Sequence, residues 1–560
     1  MQKSNANKKQ SFLGGAAVLA LATAVVKLIG AFYKIPIQHV IGNDGYSYFN
    51  TAYAIYNVLL MIATTGLPVA MSRMIAEATT QQDPLQIRRV YDAAKRLFLS
   101  VGLAGSLFMA LLCVPLADFM GQRNAWFPIL CLSPAVLLLC LSSVNRGFFQ
   151  GQGDMRPTSI SQVLEALCKL LIGLGLAMVV MYFFRRNGLE TTLPDGRPFP
   201  KGSEAAAALS RAHAFAAGGA IIGVTLGCGL AAFYLYRLVR KTETYSLVAA
   251  AEEAQAGEST TRKLLKIAVP ITLGAAGLQL ITLVDTAVYM MRLKNAAGFS
   301  QEAADDLKGI YDYCQTIFNM PAAFITSIVV AVIPALTEQI TMKNRKGERV
   351  IADSAFRVMA LVASPCAVGL AVLSRPIYAL LAKHTPESLN IATPLLAVLG
   401  ICAFFNAVVL VSNSIMQSHG DVTVPVTNML IGGIIKIIVS FVLVGNPEIN
   451  ILGAAIGTVI CYASISILNL VSMAKRKYPV SLTRTVLKPV IASLIMGAGA
   501  ALARRLLEGM GLSNAPVTLG SIAVGGVLYV ILVLALRVIT REDCTLLPKG
   551  DKIAKLLHIS

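Results

Sequence analysis

Apolar residues fall in runs of roughly 18 or more, separated by short polar turns, from near residue 12 to near residue 540. A helix needs runs of this length to cross the hydrocarbon core of a bilayer. The runs do not alternate apolar with polar residues, so they do not read as strands of a membrane barrel. The pattern predicts an all-α polytopic chain with about 14 spans, at 12–36, 50–76, 93–117, 127–149, 158–184, 213–238, 264–290, 310–339, 353–379, 391–416, 424–446, 451–473, 483–507 and 516–540. The first run follows Lys3, Lys8 and Lys9 in the manner of a signal sequence. It continues past Gly30 to about Pro36, too long for a cleaved leader, and reads as an uncleaved helix.

The polar turns reveal a repeat. Gln150-Gly151-Gln152-Gly153-Asp154 lies between the fourth and fifth runs, and Gln417-Ser418-His419-Gly420-Asp421 between the tenth and eleventh. At a shift of 267 residues Gln150, Gly153, Asp154 and Lys169 fall on Gln417, Gly420, Asp421 and Lys436. Gly219 and Gly223 open the sixth run as Gly453 and Gly457 open the twelfth, and these small faces allow helices to approach closely. The chain is therefore expected to be a duplicated bundle. Residues 1–238 form one six-helix lobe, 239–262 a polar cytoplasmic linker with Glu252, Glu253 and Glu258, and 263–480 a second lobe. Residues 481–560 add two helices and a cytoplasmic tail. An even number of spans per copy makes the lobes parallel, related by an axis along the membrane normal. In the Gly-Asp turns glycine suits the tight backbone, and Asp154 and Asp421 are expected to cap the helices that follow.

Composition agrees with the span pattern. Of 560 residues 56% are hydrophobic and 14% charged, and mean hydropathy is +0.68. The net charge of +19 would suggest nucleic acid in a soluble protein. Here the cations sit in alternate short loops: Arg88, Arg89, Lys95 and Arg96; Arg146 and Arg156; Arg237, Arg240 and Lys241; Lys343, Arg345 and Lys346; Lys475, Arg476 and Lys477. The opposite loops are neutral, mixed or acidic, as at Glu302, Asp305 and Asp306, with the exception of 185–212, placed outside with a mixed and slightly basic charge. By the positive-inside rule both termini are cytoplasmic, and no nucleic-acid partner is expected. Ten cysteines without a Cys-x-x-Cys and five scattered histidines support neither a disulfide framework nor a metal site.

Charges inside apolar runs are costly and normally face a partner or a watery cavity. Lys27 and Lys34 are seven apart on the first helix, with Gly30 and Ala31 between them, a cationic stripe suited to a phosphate oxygen. Their alternative is an ion pair for Lys27 and snorkelling for Lys34. Glu165 and Lys169 can pair at i,i+4, whereas the repeat mate Lys436 has Gly432 in place of the acid. Asp285 is a candidate for binding Na⁺, carrying a proton, or pairing with Lys27 or Lys34. Asn50, Tyr53, Asn57, Gln315 and Asn319 offer amide and hydroxyl groups suited to sugars, and outermost tyrosines also serve as interfacial anchors.

Three stretches near the N-terminus carry a resemblance: Lys27-Leu28-Ile29-Gly30, Ile41-Gly42-Asn43-Asp44-Gly45, and Gly66-Leu67-Pro68-Val69-Ala70-Met71-Ser72. With the Gly-x-Gly-Asp turn they resemble the polysaccharide-biosynthesis and stage V sporulation protein B branch of the MOP flippase superfamily, which includes MurJ-type lipid II flippases. The resemblance implies a MATE-like V-shaped bundle with a central cationic cavity and alternating access for undecaprenyl-linked sugar precursors. Lys27 falls on a position where MurJ proteins carry a basic residue. This chain departs from their pattern at Tyr33-Lys34, Leu60-Met61 and about Thr316, where many of them have arginines.

The expected activity is export of an undecaprenyl-pyrophosphate-linked glycan, foremost lipid II, for peptidoglycan or spore-cortex synthesis. Lys27 and Lys34 would meet pyrophosphate, and Asn50, Tyr53, Asn57, Gln315 and Asn319 sugar or peptide. Asp285, Glu165, Lys169 and Lys436 are candidates for coupling or ion pairing. No cofactor is expected; Na⁺, H⁺ or membrane potential would supply energy. The other readings are a MATE-type cation-coupled multidrug antiporter, a flippase for another lipid-linked polysaccharide unit, and a membrane glycosyltransferase. Four deep lysines against two carboxylates disfavour cationic drugs, and the lack of Asp-x-Asp disfavours the enzyme. The chain is expected in a bacterial cell membrane as a monomer, among membrane lipids and cell-wall synthesis proteins.

Overall fold

The computed structural model describes residues 2–61, 64, 67–190, 192, 199–200, 203–242 and 258–538. Most of the expected linker, with Glu252 and Glu253, and the C-terminal tail lie outside the described residues. Every element with a regular hydrogen-bond ladder among the described residues is a helix, and ten of these helices are long and apolar enough to cross a membrane. The other four expected spans, 12–36, 50–76, 264–290 and 310–339, overlap helices, and each includes residues that are not described or whose side chains are not described. Two compact units emerge: Met1–Lys294 with Phe299–Gly309, and Asn295–Gly298 with Ile310–Ser560.

In the first unit, α1 (Gln2–Met61) runs through the first expected span and into the second. It breaks at Gly42, whose φ of 69° is reached most easily without a Cβ. Then come α2 (Leu67–Thr80), α3 (Pro84–Leu111), the short α4 (Cys113–Phe119) and α5 (Trp126–Gly151). The fifth expected span is two helices, α6 (Arg156–Cys168) and α7 (Leu174–Arg186), joined by a wider π-helical turn over Lys169–Gly173. α8 (Glu204–Arg240) lies against that turn. A Cβ on Gly223 would come within 2.3 Å of the Gly173 backbone, so the small face predicted there does let two backbones touch. α9 (Glu258–Asn295) and the start of α10 (Gln301–Thr341) complete the unit.

The second unit continues α10 and adds α11 (Arg345–Val372), α12 (Ser374–Leu381), α13 (Pro386–Ser418), α14 (Thr423–Val444) and α15 (Leu452–Lys475). Leu336, Phe356, Met359, Val411, Ile415 and Met473 form its fully buried centre, drawn from α10, α11, α13 and α15. The last pair, α16 (Leu482–Gly509) and α17 (Asn514–Ala535), packs on α11. Ser493 meets Ser364 at 2.7 Å, and the Tyr529 hydroxyl donates to the Leu361 carbonyl at 3.0 Å.

Local geometry recurs between the units beyond what the identities announced. Asp83 and Asn344 each cap the next helix, accepting from Gln86 N and Gly347 N. Both 28-residue helices, α3 and α11, end at a leucine, Leu112 (φ −103°, ψ 18°) and Leu373 (φ −102°, ψ 23°), and a short helix follows each. Gly153 (φ 84°) and Gly420 (φ 87°) close the Gly-Asp turns, and Asp154 N and Asp421 N donate back to Phe149 O and Met416 O at 3.0 Å. The two aspartate side chains then diverge. Asp154 is not the cap of α6, which is Met155; from one place earlier its Oδ1 accepts from Arg156 N at 3.0 Å. Asp421 does not cap α14; its carboxylate binds Arg476 at 3.0 Å and the Tyr478 hydroxyl, tying the turn to the loop after α15. Burial and that carboxylate push the Tyr478 hydroxyl up to about 12.

Candidate anion-binding cavity

A cavity of about 600 Å³ opens inside the first unit, walled by α1, α2, α5, α6, the π-helical turn and α8. Its polar lining comes from Lys27, Tyr53 and Tyr56 on α1, Ser143, Arg146 and Gln150 on α5, Thr158, Gln162 and Glu165 on α6, and Lys169. The i,i+4 pair expected between Glu165 and Lys169 is not formed. Glu165 Oε1 instead accepts from Arg146 Nη2 at 2.7 Å, and Arg146 Nε donates to Ser161 Oγ at 2.9 Å. The sequence pattern groups Arg146 with the loop cations, but it is buried in the last turns of α5 and belongs to the cavity. The guanidinium fork fixes the carboxylate from the facing helix, so Glu165 has no need of its own lysine.

Lys169 instead sits among aromatic rings. Its Nζ lies 5.0 Å from the ring centroid of Tyr33, 5.6 Å from Phe49 and 4.7 Å from Tyr53. The π-helical turn widens the helix where this side chain leaves it, and a ring quadrupole attracts a cation without neutralising it. Among the described residues no carboxylate lies within ion-pair distance of Lys169 or Lys27. Lys27, Lys169 and Arg146 against Glu165 leave the lining with an excess of positive charge, in walls that are otherwise uncharged.

The structure gathers Lys27, Tyr53, Glu165 and Lys169 around this space; Lys34, Asn50, Asn57 and Asp285 are not among the lining residues. Lys34 lies close enough to Lys169 to repel it. Asn50 turns its amide onto the Tyr46 carbonyl at 3.0 Å, and Asp285 is buried within α9. Gln315, Asn319 and Lys436 belong to the second unit, where the Asn319 amide donates to Gln315 O at 2.8 Å. Sequence reasoning missed Arg146, Gln150 and Gln162. The signal for Arg146 was its place four residues before Gln150, inside a run whose end the glycines mark.

A second polar cluster lies at the start of α10, in the acidic loop region. Asp305 is wholly buried: its Oδ2 accepts from the Tyr48 hydroxyl at 2.7 Å, its Oδ1 from Gln122 at 2.8 Å and Gln301 at 2.9 Å. Asn43 donates to Asp306 at 3.0 Å, and a Cβ on Gly309 would fall 1.8 Å from the Asn43 carbonyl oxygen. Burial pushes the Asp305 carboxyl up to about 6 despite those donors.

Residues 12–184 match the family described as polysaccharide biosynthesis protein, and residues 309–442 match the MatE family. Stage V sporulation protein B of Bacillus subtilis (strain 168) is 23% identical over 557 residues, covering 96% of this chain and 98% of its own length. The lipid II flippase MurJ of the same strain is 26% identical over 505 residues, 87% of each chain. These matches are to proteins of the MOP superfamily, which the chain resembles along nearly its whole length. Stage V sporulation protein B and MurJ are the relatives it resembles over most of its length. A solved structure of a lipid II flippase MurJ, in an inward closed conformation, shares the fold of this chain with a TM-score of 0.66 at 15% identity, over 93% of this chain and 98% of that one. The chain is a multi-pass membrane protein, and the relatives and solved structures it resembles are transporters and flippases, not enzymes.

Proposed function

We propose that the protein is an alternating-access flippase that exports an undecaprenyl-pyrophosphate-linked glycan, lipid II foremost, for peptidoglycan or spore-cortex synthesis. The observation that carries this reading is the excess of cations around the first unit's cavity. A pyrophosphate brings the charge that Lys27 and Lys169 lack, and Arg146 is already oriented by Glu165. Lys34, close to Lys169, adds to the attraction. The uncharged amides and hydroxyls of Gln150, Gln162, Tyr53, Asn50 and Asn57 suit the glycan, with Gln315 and Asn319 as further partners from the second unit. The lipid tail stays in hydrocarbon, so the protein need only shelter the polar head. Two parallel six-helix lobes, residues 1–238 and 263–480, would rock about the linker at 239–262, with α16 and α17 as additions.

The relatives support this reading by their names and by their coverage of nearly the whole chain. A MATE-type drug antiporter is the second reading, and the same cations disfavour it, because a positive cavity repels cationic drugs. With the basic loops inside, both termini are cytoplasmic. Asp285 and Lys436 are the candidates for coupling. The test is rescue of cells depleted of their lipid II flippase. The protein is expected to restore growth, and Lys27→Ala and Lys169→Ala to lose that rescue at equal membrane abundance. Absence of rescue by abundant unaltered protein would remove lipid II as the substrate.

A further inference from the structure

A second cleft, of about 370 Å³, lies between α3, α5 and α8 of the first unit, and the flippase reading does not use it. Its floor is apolar, with Leu138, Leu141 and Val144 of α5 and Gly229 of α8. One end is cationic. Lys95 on α3 and Arg240 on α8 approach the ring of Tyr236 at 5.9 and 4.8 Å, and Arg237 lies 4.9 Å from the Phe233 ring. Among the described residues none of these three cations has a carboxylate within ion-pair distance, although Arg88, seven residues before Lys95 on α3, pairs with Asp92 at 2.7 Å. Three like charges share two aromatic rings, which attract cations but do not cancel them.

The helix faces leading away from that end are apolar and exposed. On α3 the row Tyr91, Lys95, Leu99, Leu103 repeats every four residues, so it forms one stripe. Leu99 and Leu103 are 45% and 48% exposed. On α8 the row Arg237, Phe233, Leu230, Leu226 runs the same course from charge to hydrocarbon. Together the stripes describe a head that is anionic and a body that is aliphatic. We propose that this cleft is a binding site for an anionic phospholipid of the leaflet that borders the basic loops. Its phosphate sits among Lys95, Arg237 and Arg240, and one acyl chain lies along Leu138 and Gly229. Cations that merely snorkel to water would need neither the shared rings nor a cleft beneath them. A bound lipid would also fill the gap between three spans of the first unit and steady them.

The test uses the full chain in detergent micelles, titrated with phosphatidylglycerol and with phosphatidylcholine of the same chains and read by native mass spectrometry. Phosphatidylglycerol is expected to bind about tenfold tighter, since each cation near an anionic lipid contributes a several-fold factor. Lys95→Ala/Arg237→Ala/Arg240→Ala should erase that preference, whereas removal of Lys343, Arg345 and Lys346 should leave it intact. Gly229→Leu, whose Cβ would meet only Leu138 at 3.6 Å, keeps the charges and should weaken both lipids several-fold by filling the floor. An undiminished preference in the triple variant would overturn the site. So would glycerol phosphate displacing the lipid at equal concentration, which would mark a site for free phosphate.

Discussion

Two glycines and one guanidinium show how single residues fix this protein. Gly153 and Gly420 have left-handed φ and nothing within 4 Å of the point where a Cβ would sit, so alanine would meet backbone strain alone. Each Gly→Ala change should cost about 1–2 kcal/mol. The buried cysteines report it: nine described cysteines are free, seven of them buried, and their labelling by a thiol dye on heating tracks unfolding. The variants should become reactive several degrees earlier than the unaltered protein. At Arg146 the logic is reciprocal. Arg146→Gln leaves the Glu165 carboxylate without its partner and should destabilise by about 1–3 kcal/mol, moderated because the Glu165 side chain is still 22% exposed. Arg146→Gln/Glu165→Gln should recover most of that loss in the same dye assay. It should not recover flipping, because a cavity cation is gone.

At the scale of elements, the sequence announced most helices and misassigned the local devices that shape them. Apolar runs set the spans because hydrocarbon tolerates no unsatisfied backbone. They carry no mark for the π-helical turn at Lys169, against which α8 packs with Gly223 close to Gly173. Nor does spacing reveal that Glu165 turns to α5 rather than to Lys169. The duplication was legible at its turns, while the matching breaks at Leu112 and Leu373 share a Leu-x-x-Pro, with Pro115 and Pro376 three residues on, at a shift of 261 that the 267-residue register of the turns does not reach. The loop acids were legible as charge but not as burial. Asp305 has a carboxyl at about 6, above the ordinary value near 4 for an unfolded chain. The folded state therefore holds the proton more tightly, and stability from this group falls as pH rises from about 4 to about 6. Amides in the first turns of α10 should exchange more slowly at pH 5 than at pH 7, after correction for intrinsic rates. Asp305→Asn, which still offers an acceptor to Tyr48 or Gln122, should flatten that difference.

For the whole molecule the open term is energy. A pyrophosphate-linked head carries negative charge, and a cell interior that is negative favours its outward passage by about 2.3 kcal/mol per charge for each 100 mV. The lining cations Lys27, Lys169 and Arg146 offset part of that charge while it is bound, so the step gains less than the free head would. Neutralising one of them raises the charge that crosses but weakens the binding that starts the step. Lys169→Gln in liposomes should therefore show a higher half-saturating substrate concentration together with a steeper dependence of rate on an imposed K⁺-diffusion potential. A coupling carboxylate predicts another pattern. If Asp285 carries Na⁺ or a proton with the substrate, Asp285→Asn should remove dependence on that ion's gradient and leave the response to potential in place. Flipping that ignores the imposed potential in both the unaltered protein and Lys169→Gln would refute the electrogenic step and leave the ion gradient as the driving force.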